Sequence, residues 1–294
     1  MSSFPSSRLR PSGSETSCQN PRVPALDSAR AVLARSRRYR SLRRGMRTAA
    51  HPRELAFRRR IRRDFVASFL HDRRVLASYE REVRQSGLLD HIWEKSRQYD
   101  AKVRRGTEGR GFTPGAIGYA ERVYLYAILR TLKPRLAVET GVANGFSTAF
   151  SLLALARNGE GELYSIDLPR EVGKEYAPGT FYEGEGRAGI PPGSMPGWLV
   201  PGGLRERWTL VLGRSQDELP PLLARLGTID FFMHDSEHSV ECMWFEYTHA
   251  WPALRDGGVL VSDDVNANDA FPRFARENRS EPIKIARGMA FLVK

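Results

Sequence analysis

The stretch "IDFFMHDSEHSVE", residues 229–241, runs from an apolar segment straight into His234, Asp235, Ser236, Glu237 and His238. Two histidines and two acids within five positions can move protons, hold a hard cation, or simply face water in a loop. A second acidic group, "SDD" (Ser262, Asp263, Asp264), closes the next apolar segment, and Asp167 closes an earlier one. Carboxylates at several strand ends suit two tasks. They can accept ligand hydroxyls, and in threes they can bind a cation that acidifies a hydroxyl for attack. Any one of them could instead cap the helix that follows it. All of them doing so is a weaker explanation than one shared site.

These residues need elements that bring them together. The runs 135–139 ("RLAVE"), 162–167 ("ELYSID"), 208–213 ("WTLVLG"), 229–234 ("IDFFMH") and 258–264 ("GVLVSDD") read as strands. Between them, "FSTAFSLLALARNG", "SQDELPPLLARLG" and "SVECMWFEYTHAWPALRDGG" read as helices. This alternation predicts an α/β fold, a Rossmann-like doubly wound sheet with mostly parallel strands. The closing "IKIARGMAFLVK" predicts an antiparallel hairpin at the C-terminal edge of the sheet. Ligands of open α/β sheets bind at the carboxyl ends of the strands, which is where the acids stand. Apolar spacing over 65–99 and 120–132 predicts an N-terminal helical cap over 65–133, interrupted by a Gly-rich loop at 106–119. The segment 169–205, rich in Gly and Pro, is too long for a plain βα loop.

The turn after the first strand is "ETGVANGFST", residues 139–148. Gly141 and Gly145 let the backbone approach a ligand, and the following helix, starting near Ser147, offers free N–H donors. Ala143 breaks the G-x-G-x-x-G pattern, which favours a ligand smaller than a dinucleotide. Asp167, one helix later, is the expected acceptor for ribose hydroxyls.

The formal charge of +12 is confined to one end. Residues 1–64 hold 17 Arg, no Lys and four acids, whereas the remainder holds 29 basic and 30 acidic side chains. The folded body is therefore near neutral and is not expected to bind nucleic acid. The tail, 1–64, reads as disordered, and Met46 is an alternative start that would remove most of it. An anion-binding arm and a transit peptide are the other readings of the tail. No apolar run is long enough to span a membrane. Cys18 and Cys242 match no metal or redox spacing, which fits a cytoplasmic protein.

The ordered set "ETGVANGFST", "LYSIDLP", "IDFFMHDSEHSVE" and "WPALRDGGVLVSDDV" resembles the class I S-adenosylmethionine-dependent methyltransferases, in particular the small-molecule O-methyltransferase-like family called methyltransferase family 24. The resemblance covers residues from about 134 to 294. It implies that Glu139 and the turn Gly141, Ala143, Gly145 and Ser147 hold the methionine part of S-adenosyl-L-methionine. It implies further that Asp167 takes the ribose, that Gly213, Arg214 and Ser215 lie by the adenine, and that Asp235 borders the cofactor. Asp235, Asp263 and Asp264, at neighbouring strand ends, read as ligands of a hard divalent cation such as Mg²⁺. Similar metal-dependent sugar O-methyltransferases imply that Asp235 and His238 are catalytic, Asp235 on the metal and His238 as base, with His234 as second choice for the base. The expected acceptor is a small hydroxylated molecule, a sugar or secondary metabolite, and a homo-oligomer is compatible with the sequence. The rival readings are an NAD(P)-dependent oxidoreductase and an RNA methyltransferase steered by the basic tail. Trp244, Phe245, Tyr247 and Trp251 at helical spacing read as core, and Cys242 as buried and inert.

Overall fold

The structure is a computed structural model and describes residues 52–103, 119–171, 174–177, 184–185 and 189–294. Its centre is a seven-stranded sheet of β1 (Leu136–Thr140), β2 (Glu162–Asp167), β5 (Trp208–Leu212), β6 (Ile229–His234), β7 (Leu254–Ser262), β8 (Ile283–Lys284) and β9 (Ala290–Val293). A separate two-stranded ribbon, β3 (Glu175–Tyr176) and β4 (Gly184–Glu185), lies in the long segment after β2. The order across the sheet is β5-β2-β1-β6-β7-β9-β8. The first five strands are parallel, and β9 runs antiparallel between β7 and β8, as the sequence predicted for the closing hairpin. The chain winds outward from β1 to β5 and then resumes at β6 on the other side of β1. The crevice between β1 and β6 is thus the topological switch point, where such sheets bind ligands.

Successive strand residues point to opposite faces, and both faces are covered. Ala137, Leu163, Phe231, Met233, Val259, Val261 and Phe291 face one core. That core is closed by α1 (Pro52–Phe65), α2 (Arg73–Gln85), α3 (Leu88–Val103), α4 (Tyr119–Leu132) and α5 (Phe146–Asn158). Val138, Ile166, Phe232, Leu260 and Leu292 face the other core, under α6 (Ser215–Leu226), α7 (Val240–Ala253) and α8 (Ala270–Glu277). Local signals bound the helices. Gly159, at φ 79°, terminates α5; Asp72 caps α2 through Arg74 N; Ser239 caps α7 through Cys242 N.

The N-terminal helices share one continuous core with the sheet. Helical structure begins at Pro52, within the Arg-rich segment 1–64. Phe57, Ile61 and Phe65 recur every four residues along α1 and face inward. Phe65 is fully buried, with ring centroids 4.8 Å from Tyr124 and 6.1 Å from Phe291, so α1 is tied to α4 and to β9. Glu54 adds an exposed ion pair to Arg287 in the closing hairpin at 2.7 Å. Arginines on the outer face hid this stripe. Residues 1–51 lie outside the described residues, and so do most of the 106–119 loop and several stretches of the 169–205 segment.

Phe65→Ala is expected to lose about 3–5 kcal/mol in urea unfolding, the cost of emptying a buried aromatic site. Arg59→Ala, on the exposed face of the same helix, is expected to stay within about 0.5 kcal/mol of the parent. Equal effects would show that α1 is not part of the cooperative unit.

Candidate active site

Strand alternation sorts the polar strand ends into two layers. Glu139 of β1 and Ser165 of β2 lie on the α5 side of the sheet. Thr140 of β1, His234 of β6 and Ser262 of β7 lie on the α7 side. Both layers are sealed from water.

On the α5 side Glu139 accepts hydrogen bonds from Ser147 Oγ (2.6 Å), Thr148 Oγ1 (2.8 Å) and Ser165 Oγ (2.9 Å). Burial pushes its carboxyl up to about 7 against the pull of those three hydroxyls. On the α7 side Glu246, also fully buried, accepts from Thr140 Oγ1 (2.5 Å), from Ser236 Oγ (2.6 Å) and from His234 Nδ1 (2.6 Å). Burial works against the Glu246 carboxylate, but His234 and the hydroxyl donors outweigh it and hold its pKa below the usual value. Tyr247 on the same helix exchanges a hydrogen bond of 2.6 Å with Ser262.

Between the two layers runs the backbone floor. Gly141 N donates to Ile166 O, Asp235 N to Thr140 O, and Asp263 N to His234 O, so the strand ladder continues one residue past each strand end. Gly141, at φ 83°, lies against Asp235, and a Cβ there would sit 1.9 Å from Asp235 O. No other residue fits. Ala143 at φ 44° occupies the left-handed region without glycine's freedom, at a cost of about 1–2 kcal/mol. Its N–H and that of Val142 both donate to Asp167 Oδ2, at 2.8 and 2.7 Å.

A cavity of about 320 Å³ opens over this floor. Of the predicted cofactor residues, Gly141, Ala143, Asp167, Gly213, Arg214, Ser215 and Asp235 line it. Glu139, Gly145 and Ser147 do not; they sit beneath the turn and shape it. Ile166, Leu168, Gly189, Ile190, Ser236, Glu237 and Cys242 line it as well. Cys242 is 2% exposed, and burial pushes its thiol up to about 11, which makes it a poor nucleophile, as expected.

Beside the cavity the second cluster assembles. Donor atoms of Asp235, His238 and Asp263 all lie within 4.8 Å of one another. His238 Nε2 stands 3.9 Å from Asp235 Oδ1, and His238 Nδ1 stands 3.8 Å from Asp264 Oδ2. Asp264 is the most exposed member, and at φ 47° its backbone turns the chain away from β7. Burial, then Asp263 and Glu139, raise the Asp235 carboxyl well above its ordinary value, and burial also raises Asp263. Burial, then the neighbouring His234, lower His238, which favours a neutral ring able to accept a proton. His234 itself turns away into the α7 layer, its ring 5.4 Å from that of His238.

The main residue missed from sequence is Glu246. It falls within the buried stripe Cys242, Met243, Tyr247 and Ala250 of α7, and an acid on an apolar stripe was the available signal. Of the α7 aromatics, Trp244, Tyr247 and Trp251 belong to the core and pack on Phe274, whereas Phe245 lies against the exposed His249 and outside that core.

With this geometry in view, residues 138–265 match a family model described as a methyltransferase domain. The match spans all five parallel strands and both clusters. Over these residues the chain is similar to methyltransferase domains. The methyltransferase match leaves the N-terminal helices and the closing hairpin outside it. No curated protein matches the chain in sequence. Among solved structures, the chain is similar to the O-methyltransferase NovP at 18% identity, covering 63% of this chain and 83% of that one with a TM-score of 0.49. It is similar to an O-methyltransferase from Bacillus cereus in complex with S-adenosylhomocysteine at 14% identity, covering 69% and 90%, TM-score 0.43. It is also similar to the O-methyltransferase TomG from Streptomyces achromogenes, involved in tomaymycin synthesis, at 18% identity, covering 61% and 82%, TM-score 0.41. These are distant likenesses; the domain match and the side chains carry the methyltransferase reading.

Glu139 yields a pH test. Its folded pKa, about 7, lies above the unfolded value of 4.5, so its contribution to stability is complete below pH 4.5 and lost as pH rises through 7. The unfolding free energy of the parent minus that of Glu139→Gln is expected to fall by about 3 kcal/mol across that window. Parallel pH profiles for the two proteins would refute the assignment.

Proposed function

We propose that the chain transfers a methyl group from S-adenosylmethionine to a hydroxyl of a small acceptor, with a divalent cation at the Asp235, Asp263 and His238 cluster. The observation that carries the proposal is the adjacency of two sites. A cavity lined by the glycine turn and Asp167 meets, at Asp235, a cluster of acids and a histidine.

Asp167 suits the ribose end of the cofactor. Oδ2 already holds the Val142 and Ala143 N–H groups, which leaves Oδ1 for a ligand hydroxyl. Gly213, Arg214 and Ser215 lie along the same cavity and suit the adenine end. The bound cofactor supplies an electrophilic methyl on a sulfonium.

The donor set fits a hard cation. Asp263 raises the Asp235 pKa by proximity, and a cation between them would relieve that repulsion. Asp235, Asp263 and Asp264 can act as its oxygen donors. His238 has two roles open to it: completing that set, or taking the acceptor proton, for which its lowered pKa prepares it. A cation held by these residues would acidify the acceptor hydroxyl. Asp264, exposed and 3.8 Å from His238 Nδ1, can hold that ring in one orientation and favour its protonated form once the proton arrives. Sugars and hydroxylated secondary metabolites are the acceptor class this chemistry suits.

Calorimetric titration tests the proposal. Micromolar binding of S-adenosylhomocysteine with no heat from NAD is the expected result, and the reverse would establish an oxidoreductase. A separate Mg²⁺ heat is expected in the parent and absent in Asp263→Asn. With an acceptor in hand, His238→Ala is expected to lower kcat by about 10²–10⁴-fold with the cofactor KM little changed. An unchanged kcat would remove His238 from the mechanism.

A further inference from the structure

The segment 189–200 does more than cover the cavity. It folds back to its own base beside Asp167, where Ile190 N donates to Arg170 O at 2.8 Å. From there it crosses the glycine turn and bonds to it four times. Gly197 N donates to Ala143 O (2.8 Å) and Leu199 N to Asn144 O (3.2 Å). Trp198 Nε1 donates to Asn144 Oδ1 (2.6 Å), and Asn144 Nδ2 donates to Gly189 O (3.4 Å). The contact is close enough that a Cβ on Gly145 would lie 2.5 Å from Gly197 Cα.

The segment is itself held from behind on two sides. Lys95 Nζ of α3 donates to Trp198 O at 2.9 Å, and the Tyr99 ring lies 5.7 Å from that of Trp198. Arg205 donates from Nη2 to Gly197 O (2.6 Å) and from Nε to Val200 O (3.3 Å). Gly197, at φ 71°, is pressed on the Trp208 ring, where a Cβ would meet it at 2.2 Å.

We infer that the segment 189–200 is a clamp on the cofactor turn, in which Trp198 and Asn144 are positioning residues that set affinity for the cofactor; this rests on the methyltransferase reading. The turn is gripped from both directions. Asp167 holds its N–H groups at Val142 and Ala143, and the clamp holds its carbonyls at Ala143 and Asn144. Ala143 needs both grips, because its left-handed backbone is not one alanine adopts unaided. The ligand surface at Gly141 and Ala143 is then pre-shaped before the cofactor arrives, and binding spends less free energy on ordering it. Ile190, 1% exposed, carries the same segment down into the cavity wall.

The test measures S-adenosylhomocysteine affinity and the ligand-free unfolding midpoint in the full chain. Trp198→Phe keeps an aromatic ring beside Tyr99 but loses the indole donor and some ring volume; about tenfold weaker binding is expected. Arg205→Met loosens the same segment from its outer side without touching the cavity, and several-fold weaker binding is expected. Trp93→Phe, on the exposed side of α3, is expected to bind like the parent. Unchanged affinity in both clamp variants, whatever happens to the midpoint, would overturn the inference and leave the segment a mere cover. Should Trp198→Phe fail to fold, Arg205→Met alone decides between these outcomes. A parent chain that does not bind S-adenosylhomocysteine overturns the methyltransferase reading, and the clamp falls with it.

Discussion

The alternation of side chains along parallel strands is the constraint on which the site depends. At the carboxyl ends of β1, β2, β6 and β7 a single residue step decides which core a polar group enters. Glu139 and Ser165 go one way; Thr140, His234 and Ser262 go the other. One step further the strands end, and Gly141, Asp235 and Asp263 are left at the open edge with backbone bonds still in register. The ligand surface is therefore a thin edge between two buried polar layers. A register slip of one residue in β6 would exchange His234 with Asp235 and destroy both the Glu246 layer and the acidic cluster.

The two layers use opposite electrostatics for the same purpose. Glu246 is kept ionised by an imidazole and two hydroxyls, so it acts as a fixed acceptor that gathers Thr140, Ser236 and His234 from three segments. Removing one donor would leave part of a buried charge unpaired, which costs far more than a surface hydrogen bond. Glu139 has only hydroxyl donors, and burial leaves its carboxyl titrating near neutrality. A cationic ligand above the turn would favour its ionised form, so that layer can respond to occupancy while the Glu246 layer stays fixed. The α7 layer orients the loop from Asp235 to His238; the α5 layer supports the turn.

Much of this was legible in the sequence because it depends on local pattern. The strand 229–234 and the strand 162–167 were readable to the residue, since apolar runs ending in an acid leave little freedom in placing the boundary. The turn glycines were legible because left-handed backbone has few other solutions. What escaped depends on tertiary partners. Glu246 is separated from Thr140 by 106 residues, and nothing local announces that a helix acid will meet a strand threonine. Helix α1 was masked by arginines whose charge dominated the composition, although Phe57, Ile61 and Phe65 kept the helical spacing. The segment 189–200 was legible as too long for a loop, but its hold on Asn144 was not, because its Gly and Pro content describes a path without naming its contacts.

Ala143 shows how these levels are linked. An alanine in a left-handed turn weakens the glycine pattern and, read alone, argues for a looser cofactor site. In the folded chain the same alanine is held through its N–H by Asp167 and through its carbonyl by Gly197, two groups that are 30 residues apart in sequence. The strain of about 1–2 kcal/mol at that position is of the size that two such hydrogen bonds can offset. A glycine would adopt the conformation without help, but it would also leave it freely. Alanine with a clamp gives one conformation held from both sides, and a turn held that way presents its ligand surface at a fixed distance from Asp235. The departure from the glycine pattern and the long segment after β2 are thus parts of one arrangement, and neither is intelligible without the other.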